Sequence, residues 1–176
     1  IYGIWGVYYF RPFMQDYLQP ALINTLGNIP SVGLLFQGPP LGYGVFTAGL
    51  VLAVMILPFV TAIARDVFET VPPVLKEAAY GVGCTTFEVV GNIVLPYTRV
   101  GVIGGVMLAL GRALGETMAV TFVIGNAPHI NASILAQGTT ISAMIANSFA
   151  DADPGLFTQS LLALGFILFI ITFIVL

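Results

Sequence analysis

Charge is what this sequence has least of. Its 176 residues include five Lys or Arg and eight Asp or Glu, 7% of the chain, with a net charge of −3. Ordinary soluble domains carry about a quarter charged residues. So few charges exclude a basic nucleic-acid surface and an acidic tail. The single cysteine, Cys84, excludes an internal disulfide and a structural zinc site. The single histidine, His129, lies in NAPHINAS with no second histidine or cysteine at ligand spacing, so no metal site is expected.

What fills the chain instead is apolar. Hydrophobic residues make up 58% and mean hydropathy is +1.00, the composition of a membrane protein. The first residues, IYGIWGVYYF, hold no initiator methionine, and the last, LLALGFILFIITFIVL, stop inside an apolar run. The chain therefore reads as a fragment of a longer polytopic protein. A membrane-crossing helix needs about 20 mostly apolar residues. Two complete candidates qualify, about 43–64 with an internal Pro58, and about 100–125; partial spans flank them at about 1–10 and 156–176. The expected fold class is all-α: one polytopic transmembrane bundle over 1–176, truncated at both ends.

Orientation follows from the basic residues. Arg65, Lys76 and Arg99 all fall between the two complete spans, so the loop 65–99 is expected in the cytoplasm. Connections 11–42 and 126–155 are then extracytoplasmic, with Arg11 a mild exception. Two short helices fit the loop. The first opens near Thr70 or Val71, with Pro72 and Pro73 in its first turn, and ends in the glycines of YGVG. The second starts at Thr85, where TTFE matches a capping box, and stops before Pro96. A further short helix is expected over TTISAMIANSFA.

Within this elbow Glu77, Ala78, Ala79, Gly83, Ile93, Leu95 and Pro96 follow the pattern E-A-A-x3-G-x9-I-x-L-P. The pattern resembles the EAA loop of the permease subunits of ABC importers. Small side chains let another protein approach the backbone closely, and Glu77 offers a charge for orientation. The resemblance implies that Glu77, Ala78, Ala79 and Gly83 couple the chain to a cytoplasmic ATPase subunit. The chain carries no G-x-x-x-x-G-K-[ST] phosphate loop, so ATP and magnesium are expected in that partner, with no cofactor here and no enzymatic activity.

GRALGET, residues 111–117, puts Arg112 and Glu116 deep in an apolar stretch, where a charge costs at least about 2.5 kcal/mol. On a continuous helix over 100–125 they would share a face with Gly101, Gly105, Leu108, Gly115, Ala119 and Val123. Gly101/Gly105 and Gly111/Gly115 form two small-x-x-x-small pairs suited to close helix packing. The two charges either neutralise each other and brace the bundle, or Arg112 offers its planar fork to a passing phosphate or carboxylate with Glu116 as resting counter-ion.

KEAAYGVGCTTFEVV, VLPYTRVGVIGGVMLALGRALGETMAVTFVIGN and ILFIITFIVL together resemble the permease subunits of the bacterial phosphate-specific ABC importer, in particular the C-type of its two related membrane subunits. The resemblance implies the MetI-like permease fold, a site in the inner membrane, and a phosphate pathway at Arg112 and Glu116. It also implies four kinds of partner: ATPase subunits, a second permease subunit, an extracytoplasmic phosphate-binding protein and the lipid bilayer, with no nucleic acid. A permease for another oxyanion or small solute, or a secondary anion transporter or channel, is the alternative. A secondary transporter gives no reason for the docking loop, and an intramembrane enzyme lacks a catalytic set.

Overall fold

A computed structural model of the chain describes residues 1–26, 33–36, 39, 41–129 and 131–176. These are mostly helical, with no strand among them. Helix α1 covers 2–26, α2 is Val45–Glu69, α3 is Pro73–Gly81, α4 is Thr86–Leu114, α5 is Met118–Ile124, α6 is Ile141–Ser148 and α7 is Leu156–Val175. A 3-10 turn, Gly33–Phe36, lies between α1 and α2. Three of the helices, α2, α4 and α7, are long and apolar enough to cross a membrane.

Three prolines explain where the sequence reading erred. Helix α1 continues well past residue 10, through part of the stretch expected as a loop, and α4 runs through Pro96 instead of starting anew beyond it. A proline ring inside an α-helix collides with the carbonyl four residues back. Here the residue before each proline turns to the carbonyl five back: Arg11 N–H to Gly6, Gln19 N–H to Met14, and Leu95 N–H to Val90. The three π-helical turns, Gly6–Phe10, Met14–Leu18 and Val90–Val94, thus end two residues before Pro12, Pro20 and Pro96. One extra residue per turn makes room for the ring, and the helix survives.

The larger correction falls on 100–125. The expected single helix is two: α4 ends at Leu114, Gly115–Thr117 leave helical geometry, and α5 begins at Met118. The last 20 residues of α4, Leu95–Leu114, rise about 30 Å, the thickness of a hydrocarbon core. Its first turns, from Thr86, lie ahead of that apolar run.

The described residues sort into two compact units, Ile1–Met55 with Ala113–Ile174, and Ile56–Arg112 with Val175–Leu176. In the first, α5 is the centre. Ala119, Val120, Val123 and Ile124 are all buried, packed with Ala48, Val51 and Ala143 and flanked by Val7, Phe10 and Leu52. Gly3 and Gly6 of α1 admit this helix closely: a methyl group on Gly6 would lie 3.0 Å from Val123 Cγ2, and one on Gly3 3.1 Å from Ala119 Cα. The start of α2 has no side-chain cap of the usual kind. Its free amides are taken by the chain at 134–136, Val45 N–H to Ala136 O and Phe46 N–H to Ile134 O, at 3.2 and 2.9 Å. Gly44 permits that approach, since a side chain there would meet Leu135 O at 2.5 Å. Arg11, the one basic residue on the side expected to lack them, stacks over the Tyr43 ring at 3.8 Å.

The second unit holds the loop 65–99 and most of α4. Val71, Ala79, Val89 and Val94 form its core, with Phe68, Cys84 and Ile93 packed around them. Close helix packing is visible at Gly101 and Gly105, where added methyl groups would come within 2.7 Å of Val67 Cγ1 and 2.6 Å of Ile63 Cγ2 on α2. At Gly111 the neighbour is Leu176 Cδ1, 3.0 Å away. Gly115 belongs to the break, so the Gly111/Gly115 pair does not lie on one helical face.

Candidate functional site

Two places carry the polar chemistry, the elbow of the second unit and the residues around the helix break. In the elbow, α3 begins at Pro73, whose missing N–H costs nothing in the first turn. It ends in a Schellman closure. Cys84 N–H reaches back to Ala79 O at 3.1 Å and Gly83 N–H to Tyr80 O at 2.9 Å. Gly83 closes it at φ +92°, and no neighbour lies within 4 Å of where its side chain would stand. The glycine is required by the backbone here.

One turn later Thr85 caps α4. Its hydroxyl accepts the Glu88 N–H, and the Glu88 carboxylate accepts the Thr85 N–H and hydroxyl at 2.7 and 2.8 Å, completing the expected capping box. Glu88 stands in the first turn of α4, ahead of the membrane run, and these bonds from the Thr85 backbone and side chain hold its carboxyl below the usual carboxylate range. Lys76 donates to Phe68 O at 3.1 Å, fastening α3 to the end of α2.

The four elbow residues singled out by the sequence do not form one surface. Glu77 and Ala78 are exposed, Ala79 is buried in the elbow core, and Gly83 is exposed in the closing turn. Missed were two large apolar side chains, Val82 and Phe87, which stand 86% and 87% exposed on either side of that turn. Their signal was present in the sequence as hydrophobic residues immediately beside the glycine and the cap.

Around the break the two charges are differently employed. Arg112 is exposed in the last turn of α4, where a cation complements the helix dipole, and its Cζ lies 5.5 Å from the Phe59 ring centre. Among the described residues the only ion pair joins Arg65 to Glu69. Glu116 is half-buried and its carboxylate accepts the Ala119 N–H at 3.2 Å, taking one of the free amides at the start of α5. Its carbonyl accepts the Ser142 hydroxyl at 3.2 Å. Ser142 escaped the sequence reading because it lies 26 positions from Glu116. His129, where no metal site is expected, is exposed at the edge of a cavity of about 420 Å³ that Asn131, Ser133, Gln137, Thr139 and Thr140 also line. No cluster of metal-ligating side chains occurs among the described residues.

Residues 4–176 match the family described as the binding-protein-dependent transport system inner membrane component. The chain belongs to this family. It is a multi-pass protein of the inner membrane, all-α as the sequence implied, and a transport component. The chain is similar to the phosphate transport system permease protein PstC of Mesorhizobium japonicum, 61% identical over 100% of the chain and 54% of that relative. It is similar to the protein of the same name from Pasteurella multocida, 57% identical over 100% of the chain and 55% of that relative. A more distant relative, the probable phosphate transport system permease protein PstC of Methanocaldococcus jannaschii, is 40% identical over 99% of the chain and 55% of its own length. The chain thus spans about half the length of the curated relatives it matches. No solved structure matches it.

Proposed function

We propose that the chain is the core of a permease subunit that passes inorganic phosphate from an extracytoplasmic binding protein into the cytoplasm, driven by ATP bound with magnesium in a separate ATPase subunit. The observation that carries this reading is the run of relatives named phosphate transport system permease proteins across 99–100% of the chain.

The side chains fit the task. Arg112 has a permanently charged fork with no carboxylate partner among the described residues, so it can take up an anion without first breaking an ion pair. The Glu116 carboxylate accepts a hydrogen bond from the Ala119 backbone amide. In the elbow, Glu77, Ala78, Val82 and Phe87 form the outward face offered to the ATPase, while Ala79 and Gly83 give the elbow its shape. A second, related permease subunit and the lipid bilayer cover the apolar flanks of the helices, as on α7, where Phe166, Phe169 and Phe173 are exposed.

Uptake of labelled phosphate by the full-length subunit, assembled with its ATPase and binding protein in vesicles, tests this directly. ATP-dependent uptake that excess sulfate does not suppress is expected. Uptake that persists without ATP identifies a secondary transporter, and suppression by sulfate points to another oxyanion.

A further inference from the structure

The non-helical backbone at 115–117 has apolar sequence on both sides, VGVIGGVMLALGRAL before it and MAVTFVIG after it. Backbone that leaves a helix among apolar residues persists only where other groups of the protein satisfy its amides and carbonyls. Glu116 is satisfied at three points. Its N–H reaches Ala113 O at 3.2 Å, its carboxylate takes the Ala119 N–H, and its carbonyl takes the Ser142 hydroxyl. Only the last of these comes from a distant part of the chain.

We propose that Ser142 is a positioning residue for transport: through its hydrogen bond to the Glu116 carbonyl it clamps the helix break and ties it to the 139–142 segment.

The directions of the hydrogen bonds follow from counting protons. Ser142 has one hydroxyl hydrogen, and it goes to Glu116 O. The contact of 3.3 Å between the Thr140 and Ser142 hydroxyls then requires Thr140 to be the donor. The Thr140 oxygen accepts the Ala143 N–H at 3.2 Å through a lone pair, capping α6, which leaves its hydroxyl hydrogen for Ser142. The result is a one-way chain, from the Thr140 hydroxyl to the Ser142 hydroxyl to the Glu116 carbonyl. Ser142 is only 6% exposed, so water does not compete for it. Thr140 also lines the cavity beside His129, Asn131 and Gln137. Two hydroxyl groups thus link the wall of that cavity to the break.

The proposal rests on the permease reading, and its test keeps the two separable. Thr117→Cys in a background with Cys84 and every other cysteine of the complex replaced by Ser places a thiol in the break of the full-length subunit, assembled with its ATPase and binding protein. Its reaction with N-ethylmaleimide should be roughly tenfold faster when Ser142→Ala is added, the equivalent of one lost hydrogen bond. Ser142→Thr, which keeps the hydroxyl, should restore the slow rate. With Thr117 intact, Ser142→Ala should lower maximal phosphate uptake by a similar factor while the half-saturating concentration of loaded binding protein stays unchanged. Equal labelling rates in Ser142→Ala and its parent overturn the clamp. Faster labelling with undiminished uptake overturns its part in transport. Absence of phosphate uptake by the parent complex tells against the permease reading alone, because the labelling comparison still reports on the clamp.

Discussion

The Glu116 carboxylate and the Ala119 backbone amide lie 3.2 Å apart, so an acidic residue deep in an apolar stretch is occupied as a helix cap. A cap needs an acceptor oxygen and a counter-ion needs a charge, and this difference can be measured. Glu116→Gln keeps a carbonyl oxygen for Ala119 and should retain most of the phosphate uptake. Glu116→Ala leaves the amide bare and should cost about 1 kcal/mol of stability, read as a lower melting temperature of the detergent-purified complex. If Gln and Ala impair uptake equally while only Ala lowers melting, the carboxylate acts by its charge.

Arg112 allows a parallel separation of charge from shape. A cation in the last turn of α4 favours the helix dipole whether it is a guanidinium or an ammonium. Bidentate hold on phosphate needs the fork. Arg112→Lys should therefore leave assembly intact and restore uptake only in part, whereas Arg112→Gln should reduce uptake by at least about tenfold, the low end for a lost bond to a charged group. Full activity in Arg112→Lys together with a destabilised Arg112→Gln would make the residue a helix-end charge and nothing more.

Gly83 and Gly81 stand two residues apart and should respond oppositely to alanine. Gly81 ends α3 in ordinary helical geometry with open space around it, so Gly81→Ala should be neutral or stabilise by up to about 1 kcal/mol. Gly83, at φ +92°, should lose about 1 kcal/mol as alanine. Gly83→Asn, which tolerates that conformation, should recover most of the loss. Thermal melting and co-purification with the ATPase report the two effects separately: a Gly83→Asn subunit that melts normally but no longer binds the ATPase would give the glycine a docking role beyond its backbone role.

Much of this architecture was legible because it depends on local chemistry. The capping box at Thr85 and Glu88, the glycine closure after Tyr80 and the apolar runs of α2 and α7 all need only neighbouring residues. The break at 115–117 was not legible, because the apolar periodicity continues across it. α5 is buried among side chains of α1, α2 and α6, and burial there looks the same in sequence as exposure to lipid. Pro96 misled for the opposite reason: its local rule was sound, but a π-helical turn removed the clash. Ala79 was read as a surface residue because small side chains suit both a close approach from outside and a tight core.

The capping box also has a pH signature. Hydrogen bonds from Thr85 hold the Glu88 carboxyl below its ordinary range, so the carboxylate is favoured in the folded elbow. A depressed carboxyl contributes stability that is complete above its unfolded value and is lost as pH falls through its folded value. Amide exchange at Thr85 and Glu88, corrected for intrinsic rates, should therefore be flat near neutrality and rise only in acid, below the usual carboxylate range. Glu88→Gln should show no such acid limb.

The exposed face of the elbow provides the remaining test. Phe87 and Val82 contribute little to the elbow's own core, as each is more than four-fifths exposed, so their truncation should leave folding almost unchanged. Burying a Phe or Val side chain against a partner is worth about 1.5–3 kcal/mol, so Phe87→Ser should weaken co-purification with the ATPase by roughly tenfold or more, with loss of phosphate-stimulated ATP hydrolysis. Ala79→Leu should behave in the reverse manner. It overfills the space between Val71, Val89 and Val94, costs about 1–3 kcal/mol by overpacking, and disturbs docking only as far as it unfolds the elbow. If Phe87→Ser binds the ATPase normally and Glu77→Ala does not, docking is polar and lies on the exposed side of α3; if both bind normally, the elbow's apolar face serves another contact.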